Sequence, residues 1–128
     1  MTTSNTASRV THNAYIDKNI LTLGLIGFGY WGPNVLRNFL RLSPNSIVKT
    51  ISDISPSVLT NIDTQYPSIH TTTDSTDILN DADIDAVAII TPVSTHFSLA
   101  KKALQKGKHV LIEKPMTILS KEAKTLTA

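Results

Sequence analysis

From residue 20 on, short apolar runs alternate along this chain with segments whose apolar positions fall at helical spacing. Ile20 to Ile26 is a short apolar run that ends at Gly27. Val35, Leu36, Phe39 and Leu40 then fall three and four apart, the spacing of one buried helical stripe. Pro33 suits the first turn of that helix, where amide groups have no helical partner, and Ser43-Pro44-Asn45 closes the unit with turn residues. Ile47 to Ser52 predicts a second strand. Ser55 as a cap, Pro56 in the first turn and a stripe of Val58, Leu59, Ile62 and Tyr66 predict a second helix that Pro67 stops.

The alternation continues. A third strand is expected near Ser68 to Thr72 and a brief helix from Asp74 to Asn80. Ala86 to Ile90 lacks polar alternation, as a parallel strand covered on both faces does. Thr95 is expected to cap a helix with Leu99, Ala100, Ala103 and Leu104 inward and Lys101, Lys102, Gln105 and Lys106 outward, stopped by Gly107. His109 to Ile112 is the fifth strand, and Ser120 is expected to cap a last helix with Glu122 in its first turn. Strands alternating with helices predict an α/β fold, a doubly wound parallel sheet of five strands with helices on both sides. The folded domain is expected over residues 20–128, after a disordered tail over 1–19 rich in Thr, Ser and Asn.

Composition narrows the function. The chain of 128 residues is 41% hydrophobic and 17% charged, enough for one globular domain. No cysteine is present, which excludes disulfides, thiolate metal sites and cysteine nucleophiles. A net charge of +2 does not argue for nucleic acid, and no apolar run approaches membrane-spanning length. The tail has Arg9 and no acid before Asp17, a pattern that also permits a transit peptide; a cytoplasmic location is the expectation. The Asp-rich stretch from Asp53 to Asp85 and the Lys-rich stretch from Lys101 onward read as solvated faces, with a basic end near an anionic ligand as the alternative. Asp81, Asp83 and Asp85 imitate the start of a calcium loop but lack its glycine and its final glutamate, so a metal site is rejected.

Three segments carry candidate chemistry, each just after an expected strand. Gly27-Phe28-Gly29-Tyr30-Trp31-Gly32 follows the first strand and opens the first helix, the context in which G-x-G-x-x-G binds a dinucleotide in a Rossmann domain. Gly27 permits the tight turn, Gly29 lets backbone approach a pyrophosphate, and Gly32 allows close packing of helix on strand. The helix N-terminus adds amide groups and partial positive charge. Asp53 ends the second strand about 20 residues later, where an acid accepts hydrogen bonds from the adenosine ribose. It would repel a 2′-phosphate by about 1 kcal/mol in water and about 4 at an effective dielectric of 20, which favours NAD over NADP. Thr91-Pro92-Val93-Ser94-Thr95-His96 brings hydroxyls and an imidazole to the same crevice, though His96 taken alone is equally a structural first-turn residue. Glu113-Lys114-Pro115 follows the fifth strand; taken alone, an ordinary surface ion pair accounts for Glu113 and Lys114 as well.

Together, in this order at strand ends, these motifs resemble the N-terminal domain of the Gfo/Idh/MocA oxidoreductases, the glucose–fructose oxidoreductase and inositol dehydrogenase family. The Tyr-Trp-Gly-Pro-Asn form of the loop is most similar to its sugar and sugar-nucleotide dehydrogenases. The resemblance implies hydride transfer between NAD(P) and a hydroxyl carbon of a sugar or polyol. It implies that Lys114 contacts the reacting hydroxyl, that the Lys114–Pro115 bond is cis, and that Thr91, Pro92 and His96 line the cofactor beside Glu113. It also implies a sixth strand and a second, substrate-binding domain that drives homo-oligomerisation. Neither is in this chain, so cofactor binding without turnover is the expectation for it alone. A stand-alone nucleotide-binding module and a CoA-binding domain are the alternatives; Asp53 argues against CoA, whose ribose carries a 3′-phosphate.

Overall fold

The computed structural model describes residues 19–128, so the tail expected over 1–19 lies almost wholly outside the described residues. Five strands form one parallel sheet: β1 (Leu21–Ile26), β2 (Ser46–Ser52), β3 (His70–Thr72), β4 (Ala86–Ile89) and β5 (His109–Ile112). Their spatial order is β3-β2-β1-β4-β5. The helices are α1 (Gly32–Leu40), α2 (Pro56–Gln65), α3 (Thr76–Leu79), α4 (His96–Gln105) and α5 (Ser120–Thr127), with a 3₁₀ turn at Val93–Thr95 before α4. This is the doubly wound arrangement that the alternating pattern predicts. Winding runs outward from β1 through β2 to β3, then returns to β4 on β1's other side. The reversal leaves a crevice between the carboxyl ends of β1 and β4.

Strand side chains alternate between faces, so the sheet has two cores. Leu23, Leu25, Ala86 and Ala88 face Leu36 of α1 and Leu59 and Ile62 of α2. Ile26, Val87 and Ile89 face Ile78 and Leu79 of α3 and Ala100 and Ala103 of α4. Gly24 points to the second face, where a Cβ would stand 2.6 Å from Ile78 Cγ2. Its missing side chain lets the short α3 sit close against β1.

Several local expectations are corrected. Leu104 is exposed rather than inward, because α4 lies at the sheet's edge and buries only the stripe through Ala100 and Ala103. Thr95 and Ser55 occupy cap positions without making a side-chain cap bond. The Thr95 hydroxyl is held by its own turn, and Ser55 Oγ meets Ser57 Oγ at 3.0 Å. Leu119, not Ser120, precedes the last helix, where Glu122 Oε1 accepts from the Leu119 amide at 3.3 Å. Gly107 stops α4 at φ +80, as expected of a left-handed C-terminal glycine.

Edge strand β5 is half covered. Val110 and Ile112 pack against the core shared with α4, whereas Leu111 lies beside Ala88 on the α1–α2 side and is 56% exposed. The Asp-rich turn before β4 is tied down by ordinary partners. Lys49 Nζ meets Asp81 at 2.7 Å and Asp83 at 3.4 Å, and Asp85 accepts from the Thr22 amide. The Lys49 ammonium holds the Asp81 carboxyl below its ordinary value. Among the described residues no three metal-ligating side chains converge, and no helix is long and apolar enough to cross a membrane.

Candidate dinucleotide site

A cavity of about 650 Å³ lies at the carboxyl ends of β1, β2 and β4. Its volume falls within the range of small-molecule sites. The loop after β1 forms one wall. Gly27 takes φ +89, and a Cβ there would stand 2.6 Å from Thr91 Cγ2 and 3.0 Å from the Ile90 carbonyl. Glycine is thus required twice, by conformation and by close approach to Ile90 and Thr91, just after β4. A Cβ on Gly32 would meet the Phe28 ring at 2.8 Å, so this glycine makes room for the loop's own aromatic rather than for a strand.

Gly29 differs from both. Its φ is not left-handed, and the nearest atom to a Cβ would be Ile90 O at 3.7 Å, an ordinary contact. Nothing inside the folded chain needs a glycine there. Gly29 lines the cavity, as backbone left bare for a ligand would. Beyond it, α1 begins at Gly32 with Pro33 in its first turn, presenting a helix N-terminus to the loop.

Asp53 binds the loop to β2. Its Oδ2 accepts from the Phe28 amide at 2.8 Å and its Oδ1 from the Ser55 amide at 2.9 Å. A carboxylate oxygen has two lone pairs, so each oxygen keeps capacity for a vicinal diol. On the far wall, Thr95 Oγ1 donates to the Pro92 carbonyl at 2.7 Å, which leaves Thr91 Oγ1 to donate to Thr95 across 2.5 Å. This closes the turn after β4 and presents Thr91, Pro92 and Ser94 to the cavity.

The structure therefore gathers Gly27, Phe28, Gly29, Asp53, Thr91 and Pro92 on one cavity. Tyr30, Trp31, Gly32, His96, Glu113 and Lys114 do not line it. Tyr30 is 88% exposed and stands edge-on to Trp31, with ring centroids 5.3 Å apart. His96, expected against the cofactor, is instead 1% exposed. Its Nε2 lies 2.8 Å from the Thr91 carbonyl, and its Nδ1 lies 2.9 and 3.2 Å from those of Pro115 and Met116. Both ring nitrogens are thus occupied by backbone. Glu113 extends β5 through its amide to Ile89 O at 3.0 Å, and Lys114 is exposed just beyond. No ion pair among the described residues joins them, and the Lys114–Pro115 bond is cis.

The cavity also uses residues that sequence reasoning missed, including Ser52, Ile54, Thr73, Ser75 and Ser98. Ile54 is 91% exposed immediately after Asp53. An isoleucine one residue past a strand-end acid was the available signal.

Comparison with known proteins agrees with this geometry. The pattern described as "Oxidoreductase family, NAD-binding Rossmann fold" matches residues 21–128. The uncharacterized oxidoreductase YdgJ of Escherichia coli K12 is 34% identical over 108 residues, covering 84% of this chain and 30% of that protein. The scyllo-inositol 2-dehydrogenase (NADP(+)) IolW of Bacillus subtilis is 32% identical over 113 residues, covering 87% of this chain and 29% of its own. The crystal structure of an NAD-binding protein from Listeria innocua superposes with a TM-score of 0.76 at 28% identity, covering 84% of this chain and 31% of that one. The chain thus spans about 30% of the length of these relatives. With that pattern matched over residues 21–128, the chain belongs to the Gfo/Idh/MocA oxidoreductase family and comprises its N-terminal NAD(P)-binding Rossmann domain.

Proposed function

We propose that residues 20–128 are the cofactor domain of an oxidoreductase that moves hydride between NAD and a hydroxyl carbon of a sugar or polyol. The observation that carries the cofactor part is Gly29, a glycine that no internal contact requires, facing a cavity of dinucleotide scale. Gly27, Phe28 and Gly29 would hold the pyrophosphate against backbone amides and the α1 N-terminus. Asp53 would take the ribose diol on its remaining lone pairs, with the apolar Ile54 beside the adenine. When bound, the nicotinamide supplies the hydride acceptor or donor.

Lys114 is the residue we assign to the substrate hydroxyl. In the reducing direction its ammonium can donate to the carbonyl oxygen and stabilise the negative charge that builds there as hydride adds to the carbon and the C=O π pair moves onto oxygen. The sugar class rests on likeness to relatives such as the scyllo-inositol dehydrogenase. Near-attack geometry requires the substrate to be held as well, so this chain alone is expected to bind cofactor without turnover.

Asp53 supports NAD over NADP by charge repulsion, although one relative is named for NADP(+). Calorimetric titration of the folded chain with NAD, NADP and CoA in parallel tests the reading. Saturable heat with NAD, weaker heat with NADP and none with CoA is expected. No heat with any dinucleotide at millimolar concentration overturns it, and CoA binding tighter than NAD replaces it. A second reading, a subunit that binds nucleotide for another chain, draws on the exposed Leu111 and Ile118. Light scattering that shows a stable monomer would remove that support.

A further inference from the structure

His96 is the first residue of α4, yet neither of its ring nitrogens bonds to that helix or faces the cavity. It reaches instead between two separate loops. One end meets the carbonyl of Thr91, at the start of the turn that lines the cavity. The other meets the carbonyls of Pro115 and Met116, directly after Lys114. The ring is almost fully excluded from water. A polar ring in that position is retained at a cost unless its hydrogen bonds are made.

All three oxygens are backbone carbonyls, which accept and never donate. With hydrogen on both nitrogens the ring satisfies both loops at once; with hydrogen on one, it holds one loop. We infer that His96 is a positioning residue that clasps the cavity-lining Thr91 turn to the loop bearing Lys114, setting the separation between cofactor and substrate-contacting amine. β4 and β5 deliver the two loops side by side, and the ladder between them ends where Glu113 N–H reaches Ile89 O, before either loop turns away. The assignment of Lys114 rests on the function proposed above, whereas the clasp itself rests on the hydrogen bonds.

The test uses the isotopically labelled chain and two variants that each keep one end of the clasp. In His96→Asn the side-chain amide reaches about as far as Nδ1, and in His96→Gln about as far as Nε2. Amide exchange is read at Thr95, which bonds Pro92 O, at Glu113, which bonds Ile89 O, and at Asp53, which bonds Thr72 O and serves as the reference. His96→Asn is expected to speed exchange at Thr95 roughly tenfold and spare Glu113, while His96→Gln does the reverse; Asp53 stays unchanged in both. NAD affinity should fall in His96→Asn, which frees a cavity wall, and hold in His96→Gln. Any other exchange pattern overturns the clasp, including no change or a uniform rise that takes in Asp53. If the wild-type chain fails to bind NAD, the dinucleotide reading falls, and the exchange comparison still judges the clasp.

Discussion

Gly29→Ala separates a glycine kept for a ligand from one kept for the fold. The added methyl would meet nothing closer than Ile90 O at 3.7 Å, and the backbone there is not in the left-handed region. The folded chain should accept it. Alanine also restricts the unfolded chain, which stabilises a protein by about 0.4–1 kcal/mol at compatible sites. A melting temperature unchanged or raised by up to about 5 °C follows for a domain of this size. Binding should respond in the opposite direction. A phosphate oxygen accepting from a loop amide sits about 2.9 Å from nitrogen, and a methyl on the same side forces it back. Losing one charge-assisted hydrogen bond costs roughly 1.5–3 kcal/mol. At 1.4 kcal/mol per decade, Kd for NAD should rise roughly 10- to 150-fold. Calorimetric titration and thermal melting of the same samples provide both numbers. Unaltered NAD affinity would refute the reasoning, and so would a loss of stability comparable to that of Gly27→Ala.

Gly27→Ala should destabilise the chain, by roughly 1–2 kcal/mol from its positive φ alone and more from the contact with Thr91, measured by denaturant unfolding. Gly24→Ala should cost roughly 1–3 kcal/mol by overpacking against the buried Ile78 and should leave NAD affinity per folded molecule unchanged. Asp53→Asn removes the repelling charge, so the NADP-to-NAD affinity ratio should rise several-fold or more; an unchanged ratio would remove Asp53 as the discriminator. Asp81→Asn should cost at most about 1 kcal/mol at pH 7, since its partner Lys49 is well exposed. Because Lys49 holds the Asp81 carboxyl below its ordinary value of 3.8, this contribution is complete above that value and is lost as pH falls through the lowered one. The melting curves of wild type and variant should therefore converge in acid.

Much of the fold was legible because its determinants are local. Short apolar runs set between helically spaced stripes and turn residues located all five strands, with β5 matching residue for residue and the others shifted by one or two. Glycine, proline and strand-end position marked Gly27 to Gly32 and Asp53 without reference to any distant residue. Misjudged positions were those whose environment is set by remote parts of the chain. Leu104 has the spacing of a buried residue but sits at an edge that no described element covers.

By itself the sequence determined the architecture, the glycine loop and the acid at the end of β2, since each depends on residues near one another along the chain. Only the tertiary structure decided which of the motif residues share a cavity. It showed that Gly32 yields to Phe28, that Asp53 ties down the Phe28 amide, and that His96 meets the backbone carbonyls of two loops. Those contacts form between segments that the sheet brings together from as far as 25 residues apart for Asp53 and Phe28. Side-chain chemistry can be read from a sequence, but the partner that consumes it is chosen by packing.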